Sequence, residues 1–183
     1  MENNGKLITV IVGASIGAFL ILLLLVSGPF AFIQPGFRGV EVNQGRVTGT
    51  IYPEGWYFYN SITKDIVVFD TRTHTDEADA AAASNDQQDV KVKVAITYRL
   101  NDAKVAEVLR TIGKGEDVKT KIIDPQTQET VKAAVAKHNI QEILNKRVEI
   151  KQQIFEDLFG RLDKYGVVLQ EVALKDIRFS EEF

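Results

Sequence analysis

Hydrophobic positions along this chain change their period from one region to the next, and each change marks an element. From Leu7 to Gly28 they are nearly continuous over 22 residues, and no Asp, Glu, Lys or Arg occurs between Leu7 and Phe37. As a helix rising ~1.5 Å per residue that run reaches ~33 Å, enough to cross a hydrocarbon core of ~30 Å. The pattern predicts a tail over 1–6 and a transmembrane anchor over 7–30. Ser27 and Gly28 are small enough for a signal peptidase, which leaves a cleaved leader as one alternative, a helix of a soluble core being the other. Lys6 lies on one side of the run and Arg38 and Arg46 on the other, so the basic residues do not choose an orientation. Gly13 and Gly17 form a GxxxG spacing on which two membrane helices could pack closely.

Beyond the anchor the period falls to two. Phe30, Phe32 and Phe37 bracket Pro29, Pro35 and Gly36, which end the helix in extended or turning chain. Val40 and Val42 alternate with polar neighbours, Asn43, Gln44 and Gly45 read as a turn, and Val47 to Tyr52 return as a second strand. Four aromatics follow, Trp56 to Tyr59. As a core strand they would send Trp56 and Phe58 one way and Tyr57 and Tyr59 the other; as an interfacial belt they would sit at headgroup depth, beside the anchor. The core is the favoured expectation, and Phe30, Phe32, Phe37, Trp56 and Tyr57 are the membrane-interface candidates. A strand from Asp65 to about Thr73 carries the continuous apolar run Ile66 to Phe69 and is expected to be buried on both faces. Glu77 to Ser84, with its alanine run, reads as a loop. Val90, Val92, Val94, Ile96, Tyr98 and Leu100 then alternate with Lys91, Lys93, Ala95, Thr97 and Arg99, a long strand with one dry face and one wet.

The period next becomes helical. Val105, Val108, Leu109 and Ile112 mark one helix closed by Gly113 and Gly115; a second begins near Asp124 and Pro125; a third runs from about Asn145 to Tyr165 and stops at Gly166. Val167 to Phe179 returns as a strand. Ser180, Glu181 and Glu182 read as the cap and first turn of a further helix. The order is that of an α+β domain, with a curved antiparallel sheet packed against helices.

Composition removes whole classes of function. With 22 basic and 25 acidic residues and no basic block, the chain lacks an electrostatic footprint for nucleic acid. With no cysteine it has no thiol nucleophile and no Cys-ligated zinc. His74 and His138 stand alone, neither in a nucleophile-elbow nor in an HExxH setting, and both read as structural. Asp76, Glu77 and Asp79 lack EF-hand spacing, and no phosphate-binding glycine motif occurs. The residues point to no catalytic, metal or cofactor site, and to a protein that is not an enzyme.

Taken in order, Phe32-Ile-Gln-Pro-Gly-Phe-Arg-Gly-Val-Glu-Val, Gly45-Arg-Val, Pro53-Glu-Gly-Trp-Tyr-Phe, Phe69-Asp-Thr-Arg-Thr-His-Thr, Val90 to Arg99 and Val172-Ala-Leu-Lys-Asp-Ile-Arg-Phe-Ser-Glu-Glu-Phe resemble the prohibitin branch of the stomatin, prohibitin and flotillin (SPFH, band 7) superfamily. The resemblance covers nearly all of 32–183. It implies an SPFH domain over 31–179, with 180–183 the start of a truncated coiled-coil helix. It further implies a non-enzymatic scaffold that assembles into a large ring or cage with itself or with a paralogous SPFH subunit. Such a scaffold organises membrane lipids into a microdomain and restrains a membrane-bound AAA protease. The domain would lie in the periplasm at a bacterial inner membrane, or in the intermembrane space at a mitochondrial inner membrane. A membrane-tethered binding module acting as a small oligomer is the alternative. Where many relatives turn on Asp-Gly before the long strand, this chain has Ser84-Asn85-Asp86-Gln87, which puts the geometry of that turn in question.

Overall fold

The computed structural model describes residues 11–19, 21–22, 28 and 30–179. The tail over 1–6, part of the expected anchor and the expected coiled-coil start at 180–183 lie outside the described residues. Residues 11–19 and 21–22 are helical, and no helix among the described residues is long and apolar enough to cross a membrane. Gly13 and Gly17 fall on this helical stretch, and a Cβ at either would meet nothing within 4 Å.

The domain is α+β: among the described residues seven strands are followed by a group of helices and then by an eighth strand. Strand β2 (Phe37–Asn43) turns through Gln44 and Gly45, both at positive φ, into β3 (Arg46–Tyr52) and also pairs with β5 (Lys64–Asp70). A two-residue turn of that kind matches the twist of a hairpin. β1 (Phe30–Ile33) and β4 (Gly55–Phe58) form a separate antiparallel ribbon. The third sheet has the order β6 (His74–Ala83), β7 (Asp89–Leu100), β8 (Val167–Phe179). The single curved sheet expected from the sequence is therefore three sheets.

The helices cover one face of the third sheet. α1 (Val105–Thr111) precedes a continuous helical stretch made of α2 (Gly115–Val118), a π-helical turn over Lys119–Ile123 and α3 (Asp124–Val135). α3 packs on β6, α5 (Arg147–Asp163) packs on β8, and the two helices touch each other. Ile150, Ile154, Leu158 and Leu162 of α5 meet Val92, Val94 and Ile96 of β7 and Val131, Ala134 and Val135 of α3 in one core.

Several expectations fail here for identifiable reasons. Glu77 to Ala83 is strand, paired residue for residue with β7 from Ala95 to Asp89. Ala78 and Ala80 are buried while Glu77, Asp79 and Ala81 are exposed, so the segment does alternate, with methyl groups small enough to let α3 come close. The helix expected from about Asn145 to Tyr165 is α5 (Arg147–Asp163), but a short helix that was not expected, α4 (Ile140–Asn145), precedes it and starts on an Asn139–Glu142 capping box. Val148, an apolar residue in the first turn of α5, is 80% exposed rather than part of its buried stripe. The two-sided burial expected of Ile66 to Phe69 belongs instead to β2, where Gly39, Val40 and Glu41 are buried in succession; Val68 is exposed. Ser84 Oγ accepts the Gln88 backbone N–H and donates to Asp86, and Gln87 takes the positive φ that glycine serves in an Asp-Gly turn.

Candidate membrane-facing surface

The most unusual surface in the domain is made by the β1–β4 ribbon. Its register sets Phe30 opposite Phe58 and Phe32 opposite Trp56. Alternation sends all four side chains to one face. The rings touch in cross-strand pairs, with centroids 5.2 Å apart for Phe30–Phe58 and 4.8 Å for Phe32–Trp56. Yet all four remain exposed, Trp56 at 74% and Phe58 at 77%. Ile62, in the turn after β4, is also exposed. Such a cluster of large apolar side chains on one surface marks an interaction site. The core-strand expectation for Trp56 and Phe58 is thereby corrected: the two side chains do share a face, but nothing among the described residues covers it.

The opposite face of the ribbon holds it to the domain. Ile33 is fully buried, and its side chain occupies the space that a Cβ on Gly39 would need. Tyr57 packs against Tyr52 with ring centroids 4.8 Å apart and the planes tilted by 52°. The Tyr52 hydroxyl donates to Glu41 Oε2 at 2.6 Å, and Lys64 Nζ lies 2.9 Å from the same oxygen. Glu41 is almost wholly buried, and these two partners, Tyr52 first, hold its carboxyl below the ordinary glutamate value. The pairing pushes Tyr52 up in turn.

Of the five interface candidates, Phe30, Phe32 and Trp56 share the exposed face. Phe58, not singled out as an interface candidate, belongs with them through its pairing with Phe30. Tyr57 is on the other face. Phe37 is half-buried beneath the Arg72 guanidinium, 4.7 Å from its ring centroid. Arg72 binds Asp70 through two nitrogens, at 2.9 and 2.6 Å, which holds the Asp70 carboxyl down at about 2.

A second concavity, of about 340 Å³, lies where β5, β6 and β7 meet the π-helical turn. Asp76 receives the Tyr98 hydroxyl at 2.8 Å and Lys119 at 3.1 Å. Burial, with this hydrogen bond, raises Tyr98. His74 lies 3.4 Å from Asp70, whereas His138 sits apart, beside Gln153 and Glu142. Asp76, Glu77 and Asp79 do not converge: Glu77 and Asp79 face away from Asp76 along the strand, and among the described residues no group of three His, Asp or Glu is placed to hold a metal.

Paired sheets joined to a helical layer, with an aromatic ribbon ahead of them, define an SPFH-type domain, and the SPFH domain / Band 7 family matches residues 31–183. The chain belongs to that family. Within it the chain stands in the prohibitin branch: it is 28% identical over 156 residues to "Prohibitin-7, mitochondrial" of Arabidopsis thaliana, covering 82% of this chain and 54% of that protein. It is likewise 28% identical over 157 residues to "Prohibitin 1" of Gallus gallus, covering 86% and 54%. To "Prohibitin-2" of Schizosaccharomyces pombe it is 24% identical over 152 residues, covering 82% and 52%. The chain thus spans about half the length of the curated relatives it matches.

Proposed function

We propose that this protein is a non-enzymatic membrane scaffold subunit, anchored by its N-terminal apolar run and resting the β1–β4 ribbon on the lipid surface. The single observation that carries the membrane reading is the exposed face of Phe30, Phe32, Trp56 and Phe58, the first two of which lie within the charge-free stretch from Leu7 to Phe37. Fully burying one such side chain contributes ~1.5–3 kcal/mol, so the face has much to gain from leaving water. Family membership supports the rest of the reading: subunits assemble with themselves or with a paralogue into a ring or cage and restrain a membrane-bound AAA protease. The relatives named mitochondrial support a mitochondrial location, within which the proposed site is the inner membrane with the domain in the intermembrane space; a bacterial inner membrane with the domain in the periplasm fits the same topology.

Native mass measurement of the full-length protein extracted in mild detergent tests the assembly. A large uniform oligomer is expected; a uniform monomer or dimer would favour the small tethered module instead. Co-purification from native membranes tests the protease, whose absence from the oligomer would remove that part of the reading.

A further inference from the structure

The ribbon carries an unusual combination of strong apolarity and no charge. Residues 30–37 and 55–63, which hold β1, β4 and their flanks, contain no Asp, Glu, Lys or Arg. The basic residues that border these segments or lean over them are already paired with carboxylates. Arg38 lies 2.8 Å from Asp102, Lys64 2.9 Å from Glu41 and Arg72 2.6 Å from Asp70. Attraction of a basic side chain to an anionic leaflet contributes ~1 kcal/mol per residue, and among the described residues none of these three is free beside the exposed face. They leave the ribbon's grip on lipid to its apolar area.

The shape of the face sets a second condition. The four rings stand on a paired ribbon whose back is fixed by Ile33 in the Gly39 notch and by Tyr57 on Tyr52. A rigid row of rings that enters only the headgroup and upper acyl region, ~5–10 Å deep, needs gaps between headgroups. Loose packing supplies those gaps, and tight packing closes them.

We propose that the β1–β4 ribbon senses lipid packing and is indifferent to lipid charge, so that it engages loosely packed bilayers and withdraws from ordered ones. The proposal rests on the reading that the ribbon meets lipid, and it adds which lipid surface the ribbon selects. A membrane scaffold equipped this way would couple its posture to the order of the bilayer around it.

Trp56 is the only tryptophan in the chain and lies in the face itself, so its fluorescence reports directly. The full chain is reconstituted into vesicles of unsaturated phosphatidylcholine that include a brominated phosphatidylcholine as quencher. In parallel vesicles part of the phosphatidylcholine is replaced by phosphatidylglycerol, or the acyl chains are saturated and cholesterol is added. Quenching of Trp56 should be unchanged by phosphatidylglycerol and by high salt, and should fall about twofold or more in the tightly packed vesicles. Equal quenching in loose and tight vesicles, or quenching that rises with anionic lipid and falls with salt, overturns the sensing proposal while leaving lipid contact intact. No quenching in any vesicle, with the circular dichroism spectrum unaltered, overturns lipid contact as well.

Discussion

Replacing Gly39 by alanine tests whether the ribbon and the first sheet are one mechanical unit. A Cβ there would lie 2.6 Å from Ile33 Cδ1 and 2.7 Å from Ile66 Cγ2. Carbon atoms pack best at ~3.5–4.0 Å, so each contact is short by roughly 1 Å. Neither neighbour yields freely: Ile33 is fully buried, and the Ile66 methyl sits on a β-branched carbon with few rotamers. Overpacking of this kind costs ~1–3 kcal/mol. Chemical denaturation of the chain in mild detergent, followed by circular dichroism, should show that loss. Trp56 emission should shift as well, because Ile33 carries the strand that Trp56 pairs with. Ile33→Val removes the offending Cδ1 and by itself costs ~0.5–1.5 kcal/mol. In the double variant the two losses should fall short of additive by ~1 kcal/mol, with the Ile66 contact still unrelieved. Wild-type stability in Gly39→Ala, or strict additivity in the double variant, would refute the notch.

Other residues give independent checks. Thr127 and Thr130 of α3 are buried and neither hydroxyl has a hydrogen-bond partner among the described residues, so Thr130→Val should raise stability by about 1 kcal/mol, read from the denaturation midpoint. The folded state holds Glu41 below its ordinary value, so its contribution is complete above the unfolded-state value near 4.5 and fades as pH falls through the lower, folded value. Glu41→Gln should flatten that acid dependence, and should destabilise the protein at neutral pH by ~1–3 kcal/mol by leaving Lys64 without its partner. Phe58→Ser removes an exposed ring, so unfolding should stay within ~0.5 kcal/mol of wild type while bromolipid quenching of Trp56 weakens.

The sequence signals that succeeded were those in which one residue class repeats against another. β7 is the clearest case, since Val90 to Leu100 alternate large apolar with polar side chains, and the structure buries Val90, Val92, Val94, Ile96, Tyr98 and Leu100. β6 alternates as strictly, but with alanine on the dry side. Alanine favours no strand, and its burial follows from how close α3 comes. The short helix α4 was legible and missed, because Asn139 and Glu142 stand at capping-box spacing in the sequence.

Burial on the ribbon and on β2 could not be read from either segment alone, because each depends on which second layer arrives. Glu41 occupies the polar position of an alternating strand and would ordinarily face water. The ribbon comes to rest on that same face, through Ile33 at Gly39 and Tyr57 at Tyr52, and the carboxylate is enclosed with a tyrosine and a lysine. The aromatic face shows the converse. Trp56 and Phe58 have the composition of a core strand, but among the described residues no layer packs against β1 and β4 on that side, and the rings stay exposed. The two results have one cause: a two-stranded ribbon has only two faces, and the domain uses the one carrying Ile33 and Tyr57. Whatever covers the other face lies outside the described residues, and on the proposed membrane reading that cover is the bilayer.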